Sequence, residues 1–182
     1  MSSRRKIIFI TAVILQAVIL FSMIAKQELL LKNGTKVMLK CIPVDPRSLF
    51  SGDYVRLNYG ISEIRKGETE AEHKKFDEFS EGDTIYVALV KNNEDRFYSI
   101  ADYAKTADDL KKKYRVILKG TVDDAYFVLR VKYGLETYFV PQNEGREIET
   151  KMAEVSAEVS VDEDGRSALS KLFIAGKEVK FY

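Results

Sequence analysis

Residues 7–25 read IIFITAVILQAVILFSMIA, a run without a single charge whose only amide is Gln16. In hydrocarbon every backbone N–H and C=O must be satisfied within the segment, so a run of this kind is committed to helix. At 1.5 Å per residue that helix is about 28 Å long, close to the ~30 Å thickness of a bilayer's hydrocarbon core. A buried core helix would show a polar face, and here only Thr11, Gln16 and Ser22 interrupt the apolar surface. A cleaved leader would carry a shorter apolar stretch and a small residue where Met23 stands. The run is therefore expected to be an uncleaved single-pass anchor at the plasma (inner) membrane, in contact with membrane lipid. Arg4, Arg5 and Lys6 crowd its N-terminal side, whereas Lys26, Lys32 and Lys36 on the far side are diluted by Glu28. The positive-inside rule then predicts a cytoplasmic segment 1–6, the span 7–25, a stalk 26–34 and an extracytoplasmic domain 35–182.

The chain of 182 residues leaves one domain of ordinary size beyond the span. Three of the 29 basic residues precede the apolar run, and all 28 acidic ones lie at Glu28 or beyond, so the domain is slightly acidic. That balance gives no basic face for nucleic acid. The single cysteine, Cys41, follows Lys40 and lies far from the apolar run, which suits a half-buried strand position better than lipid attachment.

Alternation of apolar and polar residues predicts a β-rich body. Residues 35–42 form a first strand, and 54–61 a second with Val55, Leu57, Tyr59 and Ile61 on one face. The charged stretch 62–75 reads as a solvated loop or an exposed helix. Strands are expected over 84–90 and 96–100, helical turns within 102–113, and a hairpin of strands 114–121 and 125–133 turning at Val122, Asp123 and Asp124. Asn143 is an N-cap candidate for a helix over 144–152. Strands 155–161 and 168–174 flank a turn at 162–165, and Gly176 leads into a last strand over 178–181. The expected class is mainly β (α+β): an N-terminal transmembrane helix, then an antiparallel barrel- or sandwich-like domain with one or two short helices.

The most constrained stretch is residues 43–61, PVDPRSLFSGDYVRLNYGI. Pro43 and Pro46 fix their own φ and push their predecessors toward extended geometry, and Ser51, Gly52 and Asp53 signal a tight turn into the strand. Gly52, Asp53, Tyr54, Leu57 and Tyr59 resemble the signature of the GDYXXLXY family of membrane-anchored proteins. The likeness extends upstream through Asp45, Pro46 and Arg47 and downstream to GLETYFVPQNEGREIE at 134–149. The resemblance implies an anchored extracytoplasmic domain and no assigned activity. Asp45, Arg47, Gly52, Asp53, Tyr54, Leu57 and Tyr59 are accordingly the candidate site, as a fold-defining turn or as a recognition patch. Gly52 suits the turn, and Arg47 with Asp53 suits an ion pair that locks the loop.

Catalytic chemistry has little to draw on. One histidine, His73, and one cysteine are too few for zinc cages or a Cys/His pair, and no cofactor is expected. Residues 162–165, DEDG, lack the spacing of a calcium loop and read as a turn. A signal-peptidase-like serine protease would need Ser48 as nucleophile and Lys119 as base. A cell-wall or carbohydrate-binding module would use Tyr54, Tyr59, Tyr126, Tyr133 and Tyr138, without any tryptophan to stack on. The reading preferred over both is a non-catalytic envelope component that meets an integral membrane partner.

Overall fold

The computed structural model describes residues 3–43, 54–67, 70–142 and 144–181. Its first element, α1 (Ser3–Asn33), is one uninterrupted helix through both the apolar run and the stretch expected as a stalk. The large apolar side chains of the run all face outward, and none of its most apolar window is buried. By length and composition this helix can cross a membrane.

A single residue, Gly34, separates α1 from β1 (Thr35–Lys40). The Gly34 N–H donates to the Leu30 carbonyl at 3.0 Å. Lys36 then folds back, its Nζ donating to the Leu31 carbonyl at 2.5 Å and to Ser160 Oγ at 2.6 Å. Carbonyls at a helix C-terminus have no partner within the helix, and a cation there also complements the helix dipole. A Cβ at Gly34 would lie 2.6 Å from the Leu30 oxygen, so the close passage of the two backbones requires glycine. Helix and sheet are thus joined by a capped corner.

Beyond it come β2 (Tyr54–Arg56), β3 (Glu63–Arg65), α2 (Glu70–Asp77), β4 (Thr84–Lys91), β5 (Tyr98–Ala104), α3 (Ala107–Lys111), β6 (Val116–Ala125), β7 (Val128–Lys132) and β8 (Thr137–Phe139). After α4 (Gly145–Thr150) and a 3-10 turn at Met152–Glu154, the chain closes with β9 (Val155–Val161), β10 (Ser167–Ile174) and β11 (Lys177–Glu178). All pairings are antiparallel: a four-stranded sheet β1-β9-β10-β11, a five-stranded sheet β3-β7-β6-β4-β5 and the pair β2-β8. One hydrophobic cluster draws on all three, including Val37, Leu39, Val55, Leu57, Ile85, Leu118, Leu129, Val159 and Leu172. The body is β-rich and antiparallel, as its alternating pattern requires.

Local differences from the sequence pattern have physical causes. The hairpin predicted to turn at 122–124 instead turns at Tyr126 and Phe127, because β6 runs on to Ala125 past a register shift between Val122 and Asp124. Leu129, Val131 and Tyr133 are buried on one face as the alternation predicts, while Phe127, which falls in the turn before β7, stands 88 % exposed. The apolar face over 54–61 is as predicted, but ladder pairing stops after Arg56. Part of the charged stretch forms α2, whose Phe76 is buried against the core. The final strand is confined to Lys177 and Glu178, and Asn143, the proposed N-cap, lies outside the described residues.

Candidate functional site

Of the seven candidate residues, Asp45, Arg47, Gly52 and Asp53 lie outside the described residues, so the proposed ion pair does too. Tyr54, Leu57 and Tyr59 divide between surface and core. β2 begins at Tyr54, which lies opposite Phe139 of β8. The two rings meet edge to face, 6.3 Å between centroids at 64°, a favoured aromatic geometry. Tyr54 is half-buried and Phe139 is 76 % exposed, so the pair forms an aromatic ledge on the outer side of β2-β8, with exposed Arg56 beside it. Val55 points the other way, into the core. Gly145 of α4 packs behind it so closely that a Cβ there would sit 3.0 Å from Val55 Cγ2.

Leu57 is buried, and its N–H donates to the Glu136 carbonyl at 2.8 Å. Tyr59 is fully buried and bridges Cys41 at the end of β1. Its hydroxyl donates to the Leu135 carbonyl at 2.7 Å. The reverse bond exists as well: the Tyr133 hydroxyl donates to the Ile61 carbonyl at 2.7 Å. Each tyrosine reaches the carbonyl two residues beyond the other, so the segments Tyr59-Gly60-Ile61 and Tyr133-Gly134-Leu135 are cross-clasped. Gly134 has φ +76°, a left-handed conformation that turns the chain there, and Glu136 Oε1 accepts from the Tyr133 N–H at 2.6 Å. Val131 N–H to the Ser62 carbonyl, 2.9 Å, completes the join.

The clasp is dry. Burial, with smaller contributions from Cys41 and Glu136, raises the Tyr59 hydroxyl far above the ordinary phenol range. Burial, then Glu136, does the same to Tyr133. Burial pushes the Cys41 thiol up to about 12, so it stays protonated and unreactive near neutrality. These groups hold segments together; none is poised to exchange a proton at physiological pH.

The other sequence candidates are scattered. Lys119 is an exposed residue of β6, and Ser48 lies outside the described residues. Of the five tyrosines considered for carbohydrate stacking, Tyr59 and Tyr133 are buried, and Tyr138 is half-buried against Phe181, 6.3 Å between centroids. Tyr54 belongs to the ledge, and Tyr126 is 86 % exposed at the β6-β7 tip. Residues 162–165 form a turn in which Asp162 accepts from the Asp164 and Arg166 N–H groups and pairs with Arg166 Nε at 2.8 Å. Among the described residues no group of three His, Cys, Asp or Glu side chains converges as a ligand set.

The model of the GDYXXLXY protein family matches residues 16–172, from within α1 to β10. The chain belongs to the GDYXXLXY family. Within this family member, the motif's last tyrosine, Tyr59, is a structural tie to the segment that opens the 134–149 block. Its first, Tyr54, keeps a face on the surface. Comparison with curated proteins and with solved structures found no match. The clasp itself escaped the sequence reading, although the repeated tripeptides YGI and YGL were its visible signal.

Proposed function

We propose that this protein is a single-pass, membrane-anchored, non-catalytic component of the cell envelope that presents its Tyr54–Phe139 ledge to an integral membrane partner. The observation that carries the reading is the outward-facing α1, joined to the sheet through one residue and capped there by Lys36. A capped corner holds the body at a set height: residues 26–33 rise about 10 Å beyond the apolar run. The ledge lies toward the end of β1 remote from α1, where Tyr59 bridges Cys41 and Tyr138 meets Phe181, so the partner surface it would meet stands above the bilayer. In this reading Leu57 and Tyr59, and by extension Gly52, define the fold, while Tyr54, with Asp45, Arg47 and Asp53 of the preceding sequence, belongs to the recognition side. Arg4, Arg5 and Lys6 keep the N-terminus in the cytoplasm, which puts the body outside the plasma membrane.

A photo-crosslinking residue at position 139 tests the partner. Irradiated membranes should yield a discrete adduct with another integral membrane protein, weakened by Tyr54→Ala; no adduct at 139 would end the proposal for this face. Orientation is read from Ala101→Cys, an exposed position on β5, because buried Cys41 leaves the new thiol as the reactive one. An impermeant maleimide should label it in intact cells, and labelling only after lysis would invert the topology.

A further inference from the structure

We infer that the basic segment 111–115, KKKYR, is a headgroup-binding foot through which the body rests on anionic phospholipid of the bilayer that α1 enters. The inference rests on the anchor reading above. Lys26 is the first charge after the apolar run and therefore marks where the helix leaves hydrocarbon. It shares a cleft of about 460 Å³ with Leu29, Leu30 and Asn33 of α1 and with Arg115 and Val116 of the body. The span of helix lining that cleft is only about 10 Å long, so Arg115 lies at or just above the headgroup layer. An adjoining cleft carries the same side of the body outward through Lys111, Lys113 and Tyr114 to Lys91.

Local structure explains why the cations point outward. Leu110 is buried and fixes α3, while residues 111–113 and Arg115 are exposed around half-buried Tyr114. Tyr114 packs its body against Ala88, Leu110 and Ile117, an arrangement that suits an interfacial aromatic residue. Among the described residues Lys111, Lys112, Lys113 and Arg115 make no ion pair. Three carboxylates line the clefts, Asp162, Glu163 and Asp164, of which Asp162 and Asp164 share the single Arg166 guanidinium at 2.8 and 3.4 Å, and they are set against six cations, Lys26, Lys91, Lys111, Lys113, Arg115 and Arg166. The uncommitted charge at this height is therefore predominantly positive, within about one Debye length, ~10 Å, of the lipid surface. A slightly acidic domain that concentrates four free cations beside its own membrane exit is built to hold phosphate there.

The test uses the full chain in nanodiscs of neutral phosphatidylcholine or with about 30 mol% phosphatidylglycerol, reading acetylation of each lysine by mass spectrometry. Lysines 111–113 should label about threefold or more slowly in the anionic discs, and high salt should abolish the protection. Lys177, at the opposite end of β10, should label equally in both. Arg115→Gln should restore labelling of 111–113 in anionic discs, which a lower surface pH alone would not allow. Equal labelling in the two discs would overturn the headgroup contact while leaving the anchor intact. Protection by free glycerol phosphate in neutral discs would instead make this a soluble-anion site and overturn the lipid assignment. A chain that fails to enter the discs at all would sink the anchor and this inference with it.

Discussion

Tyr59→Phe isolates the clasp, because it removes one hydroxyl and leaves the ring in place. In the folded protein the Leu135 carbonyl then loses its 2.7 Å donor in a site where Tyr59 has no solvent exposure. An orphaned buried acceptor costs about 1–3 kcal/mol, against about 0.5–1.5 for the net worth of an ordinary hydrogen bond, so the upper half of that span is expected. For a body of this size each kcal/mol lowers Tm by about 3 °C, giving a fall of about 6–9 °C. Tyr133→Phe should cost a similar amount through the Ile61 carbonyl. The double variant should cost less than the two singles added, by about 0.5–1 kcal/mol, because freeing either tripeptide loosens the carbonyl the other hydroxyl reaches. Urea unfolding of the full chain in detergent, followed by circular dichroism, measures all three. Tyr54→Phe, on a half-buried ring at the surface, is the control and should stay within about 0.5 kcal/mol of wild type. If Tyr59→Phe were no more costly than Tyr54→Phe, the clasp would not be what holds these segments, and zero coupling would show that the two bonds act independently.

The remaining expectations use the same geometry. Folded-state values for Tyr59 and Tyr133 are raised above 10.0, and that for Cys41 from 9.0 to about 12. Their contribution is thus complete below pH 9 and lost as pH rises from 9 to 12 and beyond, by about 1.4 kcal/mol per pH unit per group; Tyr133→Phe should flatten that alkaline limb by one group's share. Leu57→Ala should cost about 2–5 kcal/mol in the same unfolding assay, as a buried side chain whose site cannot fully collapse. Gly34→Ala forces a Cβ to within 2.6 Å of the Leu30 oxygen and should cost about 1–3 kcal/mol, with raised amide exchange at residues 31–36 as the local signature.

Period-two alternation made the strand faces legible: Val55, Leu57, Tyr59 and Ile61 share one buried side, and Val37, Leu39 and Cys41 another. The long apolar helix was legible because residues 7–25 carry no charge and only three polar side chains. A register shift is a different matter. Nothing in the local pattern at 122–125 announces that two strands slip by a residue, so the expected turn lies at Val122, Asp123 and Asp124 instead of at Tyr126 and Phe127. The clasp was hidden for a related reason: Tyr59 and Tyr133 lie far apart in sequence, and a hydrogen bond to a carbonyl leaves no mark on composition. For Asp45, Arg47, Gly52 and Asp53, which lie outside the described residues, the sequence with its two prolines and Gly-Asp pair remains the guide.

In the anchored reading α1 stays on the chain and holds the body to a bilayer. Alkaline carbonate washing of native membranes, followed by intact-mass measurement, tests it directly. A chain that still carries the apolar run 7–25 should remain in the pellet. Recovery in the wash of a shorter chain that has lost the apolar run would contradict it.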